Sequence, residues 1–276
     1  VTQINMIFDT VIASFLITGS IGWLYMSDRF VELPLALFGI SIATVMLPKL
    51  SDYFNRSNID AYNRTLNWGL KLGILISFPT MLGLIILSDP ILITLLKYKE
   101  FTSNDVHMTS IALIAFSIGL PGMIGSKILI TNYYSRKDTK YPVKAALIAV
   151  LCNFVLNIAF VVYLVKTDFN GAHIGLAVAT SLSAYVNFFF LFKNAVKTKI
   201  FNMDQDIVFY ILKSVIATIV MSAFLLYFDL SKQAWMDYEL VERVMNLFLL
   251  IIFSALIYFA FLYLFNIKPK NIKEQL

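Results

Sequence analysis

Apolar runs of about 20 residues recur along most of the chain and limit its possible folds more than any other feature. The clearest cover 66–88, 107–132, 142–165, 207–228 and 244–266. A helix of about 20 apolar residues crosses the hydrocarbon of a bilayer and pairs its own backbone polar groups there. None of the runs shows the alternating pattern of a barrel strand, and only 14% of the residues are charged, against about 25% in soluble domains. The sequence therefore predicts an all-α, polytopic membrane protein.

Eight spans meet this length criterion. The second helix is expected to run on to residue 53 as an amphipathic extension beyond Gly39. Proline lacks the N–H that a helix interior needs, so breaks are expected at Pro79 in the third span and at Pro121-Gly122 in the fourth. The eight predicted spans cover about 3–18, 20–38, 66–88, 107–132, 142–165, 172–192, 207–228 and 244–266.

The positions of lysine and arginine predict the orientation of the spans, since cytoplasmic loops are enriched in both residues. With residue 1 in the cytoplasm, 14 of the 22 basic residues lie inside, 5 lie outside and 3 lie at membrane depth. We therefore expect both ends of the chain to be cytoplasmic. Because this distribution explains the net charge of +5, no nucleic-acid partner is expected. The inside set is Lys49, Arg56, Arg64, Lys71, Arg136, Lys137, Lys140, Lys144, Lys193, Lys197, Lys199, Lys268, Lys270 and Lys273, and the outside set is Lys97, Lys99, Lys166, Lys232 and Arg243.

Sequence motifs of common enzyme classes are absent. The chain has no Walker loop, nucleophile elbow, HExxH or Gly-rich dinucleotide turn. The two histidines, His107 and His173, are far apart, and the single cysteine, Cys152, excludes a disulfide framework. We expect no catalytic residue, no cofactor and no enzymatic activity. An enzyme that acts on a lipid inside the membrane is the alternative.

Three charged residues, Asp28, Arg29 and Glu32, interrupt the second apolar run. Charged side chains at membrane depth are costly and usually face a bundle interior or a water-filled cavity. Arg29 and Glu32 are spaced to pair on one helix face, whereas Asp28 and Glu32 repel unless a cation lies near both. Pro34 then favours a kink. Two interpretations stay open here: a structural ion pair at a helix contact, or polar side chains that line a transport path.

Lys127 lies in the fourth span, shortly after the expected break at Pro121-Gly122. Broken helices with a buried cation are typical of transporter binding regions. The alternative is that the long side chain of Lys127 reaches the cytoplasmic surface.

Four further polar residues, Asp9, Asn153, Asn157 and Thr180, lie inside predicted spans. Asn153 and Asn157 share one helix face. Carboxylate, amide and hydroxyl oxygens are ligands that a hard cation such as Na⁺ prefers. The same side chains could instead form an interhelical hydrogen-bond cluster, and Asp9 alone could lie near the cytoplasmic headgroups.

A polar segment at 193–206 separates a block of six spans from the final pair. We therefore predict two units, at 1–198 and 199–276.

Three stretches, 3–51, 133–144 and 171–187, resemble the MurJ (MviN) lipid II flippases, within the wider MOP exporter superfamily. The resemblance covers the whole chain and implies a protein of fourteen helices, with two six-helix lobes followed by two extra helices. The eight predicted spans would then be helices seven to fourteen. The N-terminal lobe would be missing from this chain, and the unit at 199–276 would form a groove for a lipid tail.

The resemblance also implies a function in cell-wall synthesis. Such proteins move lipid II from the cytoplasmic to the periplasmic leaflet of the bacterial inner membrane by alternating access. Arg29 matches an arginine of the family's cationic substrate cavity. Asp28 and Glu32, which would orient Arg29, and Lys127 complete the predicted substrate-binding set. Asp9, Asn153, Asn157 and Thr180 would be the Na⁺ site, although Asn157 stands where a carboxylate can occur.

The implied energy source is Na⁺ or the membrane potential. The implied partners are lipid II, membrane lipids, the missing lobe and other cell-wall synthesis proteins. The alternative function is export of another polyprenyl-linked oligosaccharide or of a small cation by a related exporter.

Overall fold

The computed structural model describes residues 2–98, 100–198, 201–228 and 230–267, and every regular element in them is helical. Five of the lysines used to predict orientation, Lys99, Lys199, Lys268, Lys270 and Lys273, lie outside the described residues. The division into units at 1–198 and 199–276 stays a prediction.

Twelve α-helices and one π-helical segment follow one another along the described chain. They are α1 (Thr2–Ala13), α2 (Ser20–Pro34), the π segment (Leu35–Ile40), α3 (Ser41–Asn55), α4 (Ile59–Ile86), α5 (Ser88–Leu96), α6 (Ser103–Ile118), α7 (Leu120–Tyr134), α8 (Lys140–Lys166), α9 (Ile174–Lys197), α10 (Asp206–Leu226), α11 (Lys232–Asp237) and α12 (Leu240–Leu264).

The chain is a multi-pass helical membrane protein. Six helices of the described residues are long and apolar enough to span a membrane, and the bent pair α6 and α7 makes a seventh when counted as one span. The predicted count of eight is not confirmed. The difference lies at the predicted span 3–18, where α1 has only 12 residues, or about 18 Å of helix against the roughly 30 Å of hydrocarbon.

Two predicted features of the helices are confirmed. The second span does continue beyond Gly39, because α2, the π segment and α3 form one helical stretch of 36 residues, Ser20–Asn55. The fourth span is broken, with α6 and α7 meeting at an angle of 43°.

The predicted break at Pro79 is wrong. Helix α4 runs without interruption from Ile59 to Ile86, with Pro79 in its interior. Proline leaves the carbonyl four residues earlier without its helical N–H partner. That carbonyl belongs to Leu75, and it accepts a hydrogen bond from the hydroxyl of Tyr258 in α12 instead.

Helices α3, α4 and α7 meet in the core. Gly69 and Gly73 in α4 permit the close approach, since a Cβ at Gly69 would overlap the sulfur of Met46, and one at Gly73 would lie 2.6 Å from Ile128. Small residues at such contacts are typical of packed membrane helices.

The segment that precedes α10 is hydrogen-bonded to one face of α4. The N–H of Asn202 donates to Asn63 Oδ1 at 2.9 Å, and the N–H of Asp204 donates to Asn67 Oδ1 at 3.0 Å. The buried Lys71 Nζ donates to the Asp204 carboxylate at 2.7 Å. These bonds hold the start of the final helix pair against the rest of the bundle.

Candidate functional site

Arg29 lies on the face of α2 that points away from the core. Its guanidinium forms an ion pair with the Glu32 carboxylate, and it lies 4.6 Å from the centre of the Tyr25 ring. Both charged side chains are about half exposed, at 48% for Arg29 and 52% for Glu32. The pairing expected from the spacing is therefore present, but on an open surface rather than at a buried helix contact. Because a charged pair is costly against hydrocarbon, this surface suits a neighbouring protein segment or water.

Hydrogen bonds to α6 determine which way Arg29 points. Trp23 Nε1 donates to Asp105 Oδ1 at 2.8 Å, and Ser27 Oγ donates to the Thr109 carbonyl at 2.7 Å. Trp23 and Ser27 belong to the buried stripe of α2. Their contacts fix the rotation of the helix and leave Arg29 on the opposite side.

Asp28 connects the Arg29 surface to a second group of polar residues. It is half-buried and interacts electrostatically with Glu32 and Arg29 on its own helix. It also lies close enough to Asp9 in α1 for the two carboxylates to interact.

The four residues predicted to bind an ion do come together, and we call them the polar cluster: Asp9, Asn153, Asn157 and Thr180. Asn157 Nδ2 donates to Asp9 Oδ1 at 2.6 Å and to Asn153 Oδ1 at 3.1 Å. Asn153 Nδ2 donates in turn to Thr180 Oγ1 at 3.2 Å. The cluster therefore joins α1, α8 and α9 through a continuous chain of hydrogen bonds.

The chemistry of the polar cluster suits a hard cation better than a transition metal. Asn157 is fully buried, and its Oδ1 has no hydrogen-bond partner among the described residues. A half-turn of this amide would present that oxygen beside the Asp9 carboxylate and Asn153 Oδ1, which is an oxygen-only set of ligands. Within the part of the chain that the structure describes, no group of three or more His, Cys, Asp or Glu side chains could hold a metal ion.

Lys127 is exposed on α7, but it lies far from Arg29. Helices α2–α3 run parallel to α6–α7. Trp23 is bonded to Asp105, 82 residues later, and Ser51 is bonded to Ser135, 84 residues later, so the offset stays almost constant along the two stretches. The same offset places Lys127 beside residues 43–45 of α3. At 1.5 Å per helical residue, Lys127 is about 20 Å from Arg29 along the bundle.

The breaks in these two parallel stretches lie at the same depth. With an offset of 82–84 residues, the break at Gly119 is level with the start of the π segment at Leu35–Ile40. Gly39 packs there against Ile124, whose Cγ1 atom would lie 3.5 Å from a Cβ on Gly39. Arg29 lies on one side of this level and Lys127 on the other.

Sequence reasoning missed two contributors to the site. Tyr25 was not singled out, although an aromatic ring four residues before an arginine on a helix can lie under its guanidinium. The proximity of Asp28 to Asp9 carried no local signal, because the two residues lie on different helices. Lys213 is the third of the basic residues expected at membrane depth, beside Arg29 and Lys127. Its Nζ donates to the Phe265 carbonyl at the end of α12, at 3.1 Å.

Comparisons with known proteins give one consistent result. The family model described as "Lipid II flippase MurJ" matches residues 1–246. A probable lipid II flippase MurJ of Vibrio cholerae serotype O1 is 38% identical over 273 residues, which are 99% of this chain and 51% of that protein. A probable lipid II flippase MurJ of Haemophilus influenzae is 36% identical over 99% of this chain and 53% of that protein. The chain therefore spans about half the length of the curated relatives it matches.

A solved structure gives the same result for the fold. Lipid II flippase MurJ in an inward closed conformation matches with a TM-score of 0.76 and 32% sequence identity. The match covers 95% of this chain and 50% of that one.

Proposed function

The chain belongs to the MurJ family of lipid II flippases, and on that premise we propose that it forms the Arg29-bearing part of a transporter that moves lipid II across the bacterial inner membrane. The movement is from the cytoplasmic to the periplasmic leaflet, and it involves no enzymatic step. The observation that carries the proposal is the exposed guanidinium of Arg29 on a membrane-spanning helix. Since the relatives are named for lipid II, the alternative of another polyprenyl-linked oligosaccharide or a small cation is not favoured.

Arg29 is suited to a pyrophosphate group. A guanidinium binds phosphate oxygens through short, charge-assisted and often bidentate hydrogen bonds. Glu32 pairs with Arg29, and an exposed ion pair of this kind contributes little stability. A substrate phosphate can therefore replace the Glu32 carboxylate, while Tyr25 and Asp28 keep the guanidinium oriented.

Lys127 extends the cationic path along the bundle. Under the proposed orientation, in which both chain ends are cytoplasmic, Lys127 lies nearer the cytoplasmic surface and Arg29 nearer the periplasmic one. The aligned breaks at the π segment and Gly119 lie between them. Bending at this level would move the two cations relative to each other, and such a movable element suits a path that opens to each side in turn.

The polar cluster is proposed to bind Na⁺ and to couple its gradient to the transport cycle. Asp9 supplies the charge, and Asn153, Asn157 and Thr180 supply neutral oxygens. The proximity of Asp28 to Asp9 links the cluster to the helix that carries Arg29, so a cation there would act on the position of that helix. The membrane potential acting on the moving charges is the alternative source of energy.

The proposed partners follow from the same interpretation. They are lipid II, membrane lipids and an N-terminal lobe of the same protein that would face the Arg29 surface. Other cell-wall synthesis proteins are proposed as further partners. The apolar outer faces of α10 and α12 suit a polyprenyl chain.

Depletion of the wild-type copy in cells that express full-length variants tests the role of Arg29. Arg29→Ala should abolish growth at normal membrane expression, and Arg29→Lys should retain part of it, because lysine keeps the charge but not the planar fork. Arg56→Ala is the matched control, since Arg56 forms a similar exposed pair with Asp52, at 74% and 48% exposure. Normal growth of the Arg29→Ala strain would contradict the proposal.

Thermal unfolding of the full-length protein in detergent tests the ion site. NaCl should raise the melting temperature above that in an equal concentration of choline chloride, because binding to the folded state alone stabilises it. Asp9→Ala should remove this difference, and Asp52→Ala should keep it. A flat response of the wild-type protein to Na⁺ would exclude the site.

A further inference from the structure

The final helix pair, α10 and α12, meets α4 at the carbonyl that Pro79 leaves unpaired. In an uninterrupted helix the Leu75 carbonyl would accept from the N–H of residue 79, which proline lacks. An unpaired backbone carbonyl is costly in hydrocarbon, where water cannot replace the missing donor. Helix α4 is nevertheless continuous through this point, so the missing bond must be supplied from outside the helix.

Tyr258 of α12 supplies it. Its hydroxyl donates to the Leu75 carbonyl at 2.6 Å, and the side chain is only 3% exposed. Ser214 of α10 lies beside the same hydroxyl, at 3.0 Å, and its own Oγ lies 3.4 Å from the Ile74 carbonyl. Three helices thus meet at one polar point within an otherwise apolar contact.

The surroundings make this bond the specific element of the contact. Leu75 packs in a small apolar cluster with Ala217, Met221 and Leu262. Such side chains bury area but permit sliding and rotation of one helix on another. A single buried donor and acceptor pair fixes both depth and rotation, because any shift leaves a polar atom unpaired.

We propose that Tyr258 is the positioning residue that docks α10 and α12 on the rest of the bundle, and that Pro79 creates the acceptor it recognises. The bonds from Lys71 to Asp204 and from Lys232 to the Ser103 carbonyl hold the segment that precedes α10 and the short helix α11. The bond from Tyr258 to Leu75 holds the pair in the middle of α4. For transport, this docking would determine where α10 and α12 meet the polyprenyl chain of the substrate. That consequence rests on the proposed function, whereas the docking does not depend on it.

A double-mutant cycle on the full-length protein in detergent tests the docking role. Tyr258→Phe keeps the ring and removes the donor, so the melting temperature should fall by several degrees. Pro79→Ala restores an N–H within α4, and it should have little effect alone because a carbonyl can accept two bonds. In the double variant Pro79→Ala/Tyr258→Phe the restored N–H pairs with Leu75, so most of the loss caused by Tyr258→Phe should disappear. Tyr163→Phe, at an exposed tyrosine of α8, controls for loss of a hydroxyl elsewhere.

The cycle separates docking through the hydroxyl from simple packing. Equal losses from Tyr258→Phe in the wild-type and Pro79→Ala backgrounds would overturn the proposal, since a packing role does not depend on residue 79. No loss in the wild-type background would overturn it as well.

Growth of the same strains after depletion of the wild-type copy tests the consequence for transport separately. A growth defect of Tyr258→Phe that Pro79→Ala corrects supports it. A defect that persists after the melting temperature has recovered would overturn that consequence and leave the docking intact.

Discussion

Two prolines, Pro79 and Pro121, lie in membrane-spanning segments that differ in continuity. Helix α4 passes through Pro79 without interruption, whereas α6 and α7 meet at 43° just before Pro121. Both sites leave carbonyls without helical partners, and at both sites hydroxyls of a neighbouring helix donate to such carbonyls. The Tyr258 hydroxyl donates to the Leu75 carbonyl. Two hydroxyls of α9 donate to carbonyls that precede the bend, Ser181 to Ala115 and Tyr185 to Ile118.

The glycines around Pro121 account for the difference. A Cβ at Gly119 would lie 2.8 Å from the hydroxyl of Ser181 and 2.9 Å from its Cα, and a Cβ at Gly122 would lie 3.0 Å from the backbone nitrogen of Tyr185. The backbone of α9 therefore lies directly against the bend. The glycine nearest to Pro79 is Gly83, and a Cβ there would meet nothing within 4 Å. The helix breaks where a second backbone approaches the proline site, and it continues where only a side chain reaches that site.

The largest effect is expected from Gly119→Ala. Its new methyl group would overlap the Cα of Ser181, so α9 must move away from the bend, at a cost of about 1–3 kcal/mol. The matched control is Gly83→Ala, which adds the same methyl group in open space and should stabilise α4 by about 0.5–1 kcal/mol. The midpoints of thermal unfolding of the full-length protein in detergent measure both changes. Equal shifts for the two variants would show that the close approach of α9 to Gly119 does not matter for stability.

Ser181→Ala should have the next largest effect. The buried Ser181 hydroxyl donates to the Ala115 carbonyl at 2.6 Å, and its removal leaves that carbonyl unpaired at a cost of about 1–3 kcal/mol. Ser183→Ala is the control, since Ser183 donates only to its own helix, at the Thr180 carbonyl. The same unfolding measurement applies, and a loss for Ser183→Ala as large as that for Ser181→Ala would argue against a special role of the bend.

Tyr185→Phe should cost less than Ser181→Ala. The Tyr185 hydroxyl donates to the Ile118 carbonyl at 2.7 Å, but this bond is exposed. Another donor can replace it wherever this face borders water, so a loss of about 0.5–1.5 kcal/mol is expected. A larger loss than that of Ser181→Ala would indicate that the face of α9 around Tyr185 is dry in the full-length protein.

The smallest effect is expected from Pro121→Ala. Pro121 lies in the first turn of α7, where the backbone N–H of any residue would have no partner within the helix. The change should therefore stay within about 1 kcal/mol in unfolding measurements. The bend should persist, because Gly119 and the hydroxyls of α9 maintain it. A straightened α6–α7 in a structure of this variant would show that the proline ring itself is the cause.

Features that depend on one helix were predictable. The apolar runs located seven of the eight predicted spans, since hydrocarbon requires about 20 apolar residues whatever the neighbours are. The run at 3–18 is the exception, because α1 has only 12 residues. The spacing of Arg29 and Glu32 predicted their ion pair, and the spacing of Asn153 and Asn157 predicted a shared face. The two asparagines are indeed hydrogen-bonded to each other. The roles of these residues in transport stay predictions.

Features that depend on two helices were not predictable from local patterns. The depth of Lys127 relative to Arg29 follows from the parallel register of α2–α3 and α6–α7, which no residue spacing reveals. The continuity of α4 at Pro79 depends on Tyr258, which lies 183 residues beyond the Leu75 carbonyl that it serves.

The sequence by itself determined that this chain is a bundle of membrane-spanning helices with a few charged residues on one of them. That conclusion needs only the free energy of transfer of each segment and the pairing of backbone groups within it. The tertiary structure alone decided which helix is interrupted near its proline, which carbonyls find donors on a neighbouring helix, and how far apart the two cations lie. Those outcomes depend on hydrogen bonds and backbone approaches between distant segments, and such contacts exist only after the helices have packed.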